Sequence, residues 1–129
     1  MIHFKPEVVP SDICKISPFL RIIISEVEAY FIENQIGRVL ITSLMSDHVG
    51  DRISKTHADG RGCDISIKEL DELHQERLRF HLNSIHGKAW GTRPTDKPNI
   101  PTRVALIHGE GENKHLHLQV RKNINLSIH

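Results

Sequence analysis

The chain has 129 residues, of which 26% are charged, and seventeen Lys and Arg against sixteen Asp and Glu leave a formal net charge of +1. That length suits a single domain, residues 1–129, with a modest core, and a balanced charge with no Lys/Arg stripe excludes a nucleic-acid footprint. Two cysteines, Cys14 and Cys63, without a C-x-x-C pair, argue against a disulfide framework and for synthesis in a reducing cytosol.

Met1 to Pro6 lacks a basic segment followed by an apolar one, so no secretory signal is expected. Ser17 and Pro18 read as a helix start, and Leu20, Ile23, Ile24, Val27 and Phe31 recur at helical spacing, predicting an amphipathic helix over 18–35 that Gly37 closes. Arg21, Glu26 and Glu28 interrupt its apolar run, which excludes a membrane span. Residues 38–44 are β-branched and apolar and read as a buried strand, 45–56 as a surface loop, and 62–67 as a short strand carrying Asp64. Leu70, Leu73, Leu78, Phe80 and Leu82 predict a second helix over 68–85. Residues 86–101 hold three prolines, two glycines and the only tryptophan, Trp90. They read as a long ordered loop of the kind that often serves a site, and Trp90 is expected to offer substrate an apolar contact.

Residues 103–108 and 114–120 flank a Gly/Asn-rich turn and predict a β-hairpin. Alternation puts Leu116, Leu118 and Val120 on one face and His115, His117 and Gln119 on the other. The order α-β-β-α-β-β implies an α+β domain whose small sheet is mostly antiparallel and flanked by helices.

The chemistry concentrates in two segments. His57 and Asp64 stand seven residues apart across Gly60 and Gly62, which permit the tight turn and close backbone approach that convergence needs. Asp64 lies between Cys63 and Ile65, where an unpaired carboxylate is costly, and a cation relieves that cost. In the second segment, His115 and His117 point the same way about 6.6–7 Å apart on one strand. Imidazole nitrogens and a carboxylate oxygen from separate elements suit a tetrahedral zinc site that keeps one position for water. Each part also has an ordinary reading: His57 as a loop histidine, Asp64 as a strand-end carboxylate, His-x-His as the polar face of an edge strand. Of the ten histidines, His3, His48, His74, His81 and His129 lie in polar contexts. A hydrolytic site also needs a base. Lys114 is cationic at neutral pH, which leaves Glu110 and Glu112 in the hairpin turn. Glu112, five residues from His117 rather than seven, is the nearer.

His57-x-x-Gly60-x-Gly62-x-Asp64 with the later His115-x-His117 resembles the D-alanyl-D-alanine and L-alanyl-D-glutamate zinc peptidases, which share a metal-binding fold with the Hedgehog signalling domain. The family pattern is S-x-H-x-x-G-x-A-x-D followed by a histidine on the neighbouring strand, and the resemblance spans residues 17–121. It implies His57, Asp64 and His117 as zinc ligands and His115 as a residue lining the site and assisting the tetrahedral intermediate. It implies cleavage of peptidoglycan stem peptides by a monomer. Zinc acidifies a water, a glutamate takes its proton, and the water attacks the scissile carbonyl. A small domain without a signal peptide looks like a phage endolysin, made in the cytoplasm and acting on the bacterial cell wall from the periplasm. The chain departs from the pattern at Lys55, where the family has serine, with Ser54 one residue early, and at Gly62, where it has alanine. Met45 and Ser46 stand where an arginine is usual, with Arg52 as its substitute for substrate binding, and Lys114 replaces an acid that some members carry. Glu112 is the nearest replacement for that acid. The missing arginine and Lys114 support an alternative, a non-catalytic metal-binding member within a virion or wall complex. A third reading is a different hydrolase on His57, His115 and His117, with Asp64 orienting a ligand.

Overall fold

A computed structural model describes residues 2–44, 60–94, 96–122 and 124. Its elements are β1 (Ile2–Phe4), a 3-10 turn (Pro10–Cys14), α1 (Pro18–Glu33), β2 (Val39–Ser43), β3 (Gly62–Ser66), α2 (Glu72–Trp90), β4 (Ala105–His108), a second 3-10 turn (Gly111–Asn113) and β5 (His115–Gln119). The five strands form one sheet in the order β1-β2-β3-β5-β4. Only the β1–β2 pairing is parallel. The domain is α+β with a mostly antiparallel sheet, as the element order implies. Strand β1 was not expected: three residues are too few to show a period.

Helix α1 begins as its sequence dictates. Pro18 occupies the first turn, and the Ser17 hydroxyl accepts the Phe19 N–H at 3.2 Å, satisfying a donor that has no partner within the helix. The helix ends earlier than the glycine suggests. Asn34 caps it, Gln35 takes the left-handed conformation at φ 54°, and Gly37 follows at φ 117° with the Glu69 carboxylate against its α-carbon. Helix α2 also shifts. Asp71, rather than Lys68, starts it, its carboxylate accepting the His74 N–H at 2.8 Å. It then runs on through Trp90, so the long loop expected over 86–101 begins only at Gly91. Gly87 lies inside the helix despite its propensity cost of about 1 kcal/mol. A side chain there would meet the Thr102 carbonyl oxygen at 2.7 Å, so close backbone packing explains the glycine.

Register divides the sheet into two unlike faces. Ile41 opposes Ile65, Ile65 opposes Leu116, and Cys63 and Ala105 both oppose Leu118. All are buried together with Leu20, Ile23, Ile24, Val27 and Phe31 of α1 and Leu78 and Leu82 of α2. Both helices therefore cover this one face. The other face carries Asp64, Ser66, His115, His117 and Gln119. Cys63 and Cys14 are free thiols, and burial pushes the Cys63 pKa well up, with the Asp64 charge adding to it.

Not every apolar position of α2 is core. Leu73 and Phe80 are 57% and 69% exposed, whereas Leu82 is fully buried. Leu82→Ala is expected to cost about 2–5 kcal/mol and Phe80→Ala no more than about 0.5 kcal/mol, read from urea unfolding midpoints at constant slope. Equal effects would overturn the assignment of the helix faces.

Candidate histidine–aspartate site

Strands β3 and β5 pair with Asp64 directly opposite His117 and Ser66 opposite His115. Two residues distant by 53 positions in sequence thus meet side by side. His117 Nδ1 lies 2.9 Å from Asp64 Oδ1, and His117 Nε2 lies 3.1 Å from Gln119 Oε1. The His117 ring, 8% exposed in its side chain, is held at both nitrogens. His115 Nδ1–H donates to the Asn113 carbonyl at 2.8 Å, and its Nε2 lies 3.7 Å from the same Asp64 oxygen. A histidine whose second nitrogen is fixed by a backbone carbonyl is oriented as metal-ligating histidines are.

The approach to Asp64 depends on Gly60. It adopts φ +70°, and a β-carbon there would sit 3.0 Å from the Lys15 carbonyl oxygen and 3.2 Å from the Ile16 α-carbon. Its own carbonyl accepts the Ser17 N–H at 2.8 Å. The chain thus enters β3 pressed against the start of α1, the close approach expected of this glycine. Gly62 is different: it is the first residue of β3, opposite Gln119.

One further histidine joins the site. His108, on β4, is directly opposite His115. Its ring is stacked 5.2 Å from that of His117, 11° from parallel, and meets His115 edge-on at 5.8 Å. The sequence missed it by one residue of register: the turn closes over 109–114 and so sets 108 against 115, whereas strands flanking 109–113 would set 108 against 114. Partial burial lowers the His108 pKa, the neighbouring His117 and His115 lower it further, and Asp64 opposes them.

The remaining expected residues divide. Glu112 lies in the 3-10 turn, exposed, and lines a cavity of about 240 Å³ together with Ser66 and His115. Trp90 is in the last turn of α2, not in a loop. Its ring stacks on His86 at 4.3 Å and packs on Phe19 at 4.9 Å, and His86 in turn contacts Glu26 at 2.7 Å. Trp90 thus packs between the helices, across the sheet from Asp64. His57 and Arg52 lie outside the described residues, as do Met45, Ser46, Ser54 and Lys55. Among the ordinary histidines, His74 meets the Tyr30 hydroxyl at 2.7 Å, and His3, read as polar-facing, has its Nε2 buried with no hydrogen-bond partner.

Among the described residues no three or more His, Cys, Asp or Glu side chains gather into a group that could hold a metal ion. The pair that does converge, a carboxylate and an imidazole on adjacent strands, is a donor set zinc accepts. The chain matches no protein-family model, no curated protein and no solved structure.

The lowered His108 pKa has a measurable consequence. Stability tied to the neutral ring is present above the ordinary histidine value and is lost as pH falls through that value toward the folded pKa. NMR titration of the His108 ring should give a midpoint below the ordinary histidine value, and His108→Gln should flatten this part of the stability profile. A midpoint at or above the ordinary value would refute the assigned environment.

Proposed function

We propose that the chain is a zinc-dependent peptidase that cleaves peptidoglycan stem peptides, acting at the bacterial cell wall as a phage endolysin does. The observation that supports this reading is the register that sets Asp64 against His117 with His115 beside them on the sheet face opposite the two helices. In this reading His57, Asp64 and His117 would hold the ion, which would replace the proton that His117 Nδ1 and Asp64 share. When bound, zinc supplies a Lewis acid that polarises a carbonyl and acidifies water. Gln119 and the stacked His108 fix the plane of the His117 ring. His115 lines the site with Nε2 on the Asp64 side, where the protonated ring donates to a developing oxyanion. Glu112 receives the proton of the attacking water. Among the described residues no helix is long and apolar enough to cross a membrane, and the enzyme is proposed to act as a monomer.

A second reading draws on one specific contact. The Asp64 carboxylate meets His117 Nδ1 at 2.9 Å, as a carboxylate does when it orients a ligand rather than binding the ion. His57, His115 and His117 would then be the ligands of a different hydrolase.

Zinc content separates these readings and mass spectrometry of digested peptidoglycan fragments tests the activity. One zinc per chain is expected by elemental analysis, lost in His117→Ala. Asp64→Ala should lower zinc affinity by much more than the roughly 10–100-fold of an orienting residue. A smaller loss would favour the second reading. Glu112→Gln should retain zinc and reduce turnover by at least about 10²–10⁴-fold. Zinc bound with no fragment released would instead point to a non-catalytic metal-binding protein of a virion or wall complex.

A further inference from the structure

Beside the histidine–aspartate pair, on the same sheet face, lies the cavity of about 240 Å³ that Glu112 and His115 share. It is bounded by Ser66, Thr42 and three lysines, Lys5, Lys68 and Lys114. Its floor follows from register: Ser66 is paired with His115, and Thr42 and Leu40 stand on β2 next to β3. Among the described residues that line it Glu112 is the one carboxylate against three lysines, and Glu76 also interacts electrostatically with Lys114. None of the three lysines makes an ion pair within 4.0 Å among the described residues. A second cavity of about 340 Å³ shares Lys68, Glu112 and Lys114 and continues the groove toward the start of α2. The groove between the helices contrasts with both, since Glu26 and Glu33 face Arg77 there. Positive charge is thus concentrated at the end of the sheet face nearest His115.

We infer that this lysine-lined cavity is an anion subsite that receives a carboxylate of the ligand, one strand step from the Asp64–His117 pair. The step from Asp64 to Ser66, or from His117 to His115, is about 6.6–7 Å, the reach of roughly two extended residues or one long side chain. Lysines on flexible stems present point charges suited to an oxyanion, and the Ser66 and Thr42 hydroxyls add donors. At about 240 Å³ the space is below that of a site enclosing a whole drug-sized ligand, so it takes a group and not a molecule. The inference rests on the peptidase reading for the identity of the ligand, a peptide with a carboxylate within about two residues of the cleaved bond. The binding of the anion depends on neither zinc nor turnover.

The test uses the full chain and two probes, a tripeptide with a free C-terminal carboxylate and the same tripeptide as its carboxamide, followed by amide NMR at low ionic strength. The carboxylate form should shift Ser66, Lys68, Lys114 and His115 and bind at least about tenfold more tightly than the carboxamide. That preference should shrink as salt rises. It should fall below about threefold in the Lys68→Gln, Lys114→Gln double variant and survive in Lys114→Arg and in Lys88→Gln, a charge change outside the cavity, on α2. Equal binding of both probes, no binding of either, shifts confined to another surface, or a preference that persists in the double variant would each overturn the subsite. An active zinc peptidase without carboxylate preference would remove the subsite alone, and a carboxylate preference in a chain without hydrolysis would remove the peptidase reading alone.

Discussion

The antiparallel pairing of β3 with β5 is the constraint on which the rest of this molecule depends. Five consecutive pairs run from Gly62 with Gln119 to Ser66 with His115. Side chains alternate at every step, so the pairs that bring Cys63 to Leu118 and Ile65 to Leu116 into the core necessarily set Asp64 and His117 together on the far side. A slip of one residue would turn every one of these side chains over. It would expose the apolar set and drive a carboxylate against the helices, where an unpaired charge costs several kcal/mol. The geometry of the polar site is therefore fixed by the packing of the opposite face.

The helices reinforce that register from outside the sheet. Ser17 N–H bonds to the Gly60 carbonyl, Val120 N–H to the Arg61 carbonyl, and the Arg61 guanidinium to the Val120 carbonyl. The start of α1, the entry to β3 and the exit from β5 are joined at one corner. At the same open end of the hairpin, on its β4 side, Asn83 of α2 accepts the N–H groups of Val104 and Ala105 and donates to the Ala105 carbonyl. Edge strand β4, which carries His108, is thus held by a side chain from the helix layer as well as by β5. Residues that bear no chemistry of their own determine how closely the imidazoles can approach one another.

Much of this arrangement is legible in the sequence, and what is not has physical causes. The two helices, strands β2 and β3 and the terminal hairpin follow from apolar spacing, the Ser17 cap and the Gly/Asn turn. Placement of His115, His117 and Gln119 on one face needs only the period of a strand. Strand β1 escapes because its partner is distant and its three residues show no alternation. The glycines and prolines after residue 86 outweigh helix propensity and point to a loop at Trp90, whereas tertiary contact with residue 102 carries the helix through Gly87. Leu73 and Phe80 fit a helical period but face water, since apolar spacing alone cannot distinguish the two sides of a helix that carries leucines on both. His108 needed the register of the hairpin in addition to its period. The lysines of the anion subsite come from β1's end, β3's end and the hairpin turn, and no linear pattern brings those together.

The separation of Asp64 from His117 by 53 positions also governs when the site comes into being. Local contacts, such as the turns of α1 and the β4–β5 hairpin, close over short loops and form within microseconds. Pairing of β3 with β5 must first close a long loop and does so against chain entropy, which places this domain among the slower, non-locally wired folders. During synthesis Asp64 emerges well before its partner, and until residues 115–119 follow, β3 has no neighbour on that side. Assembly of the histidine–aspartate pair thus waits for residues 115–119, and a fragment ending before β5 carries none of its chemistry.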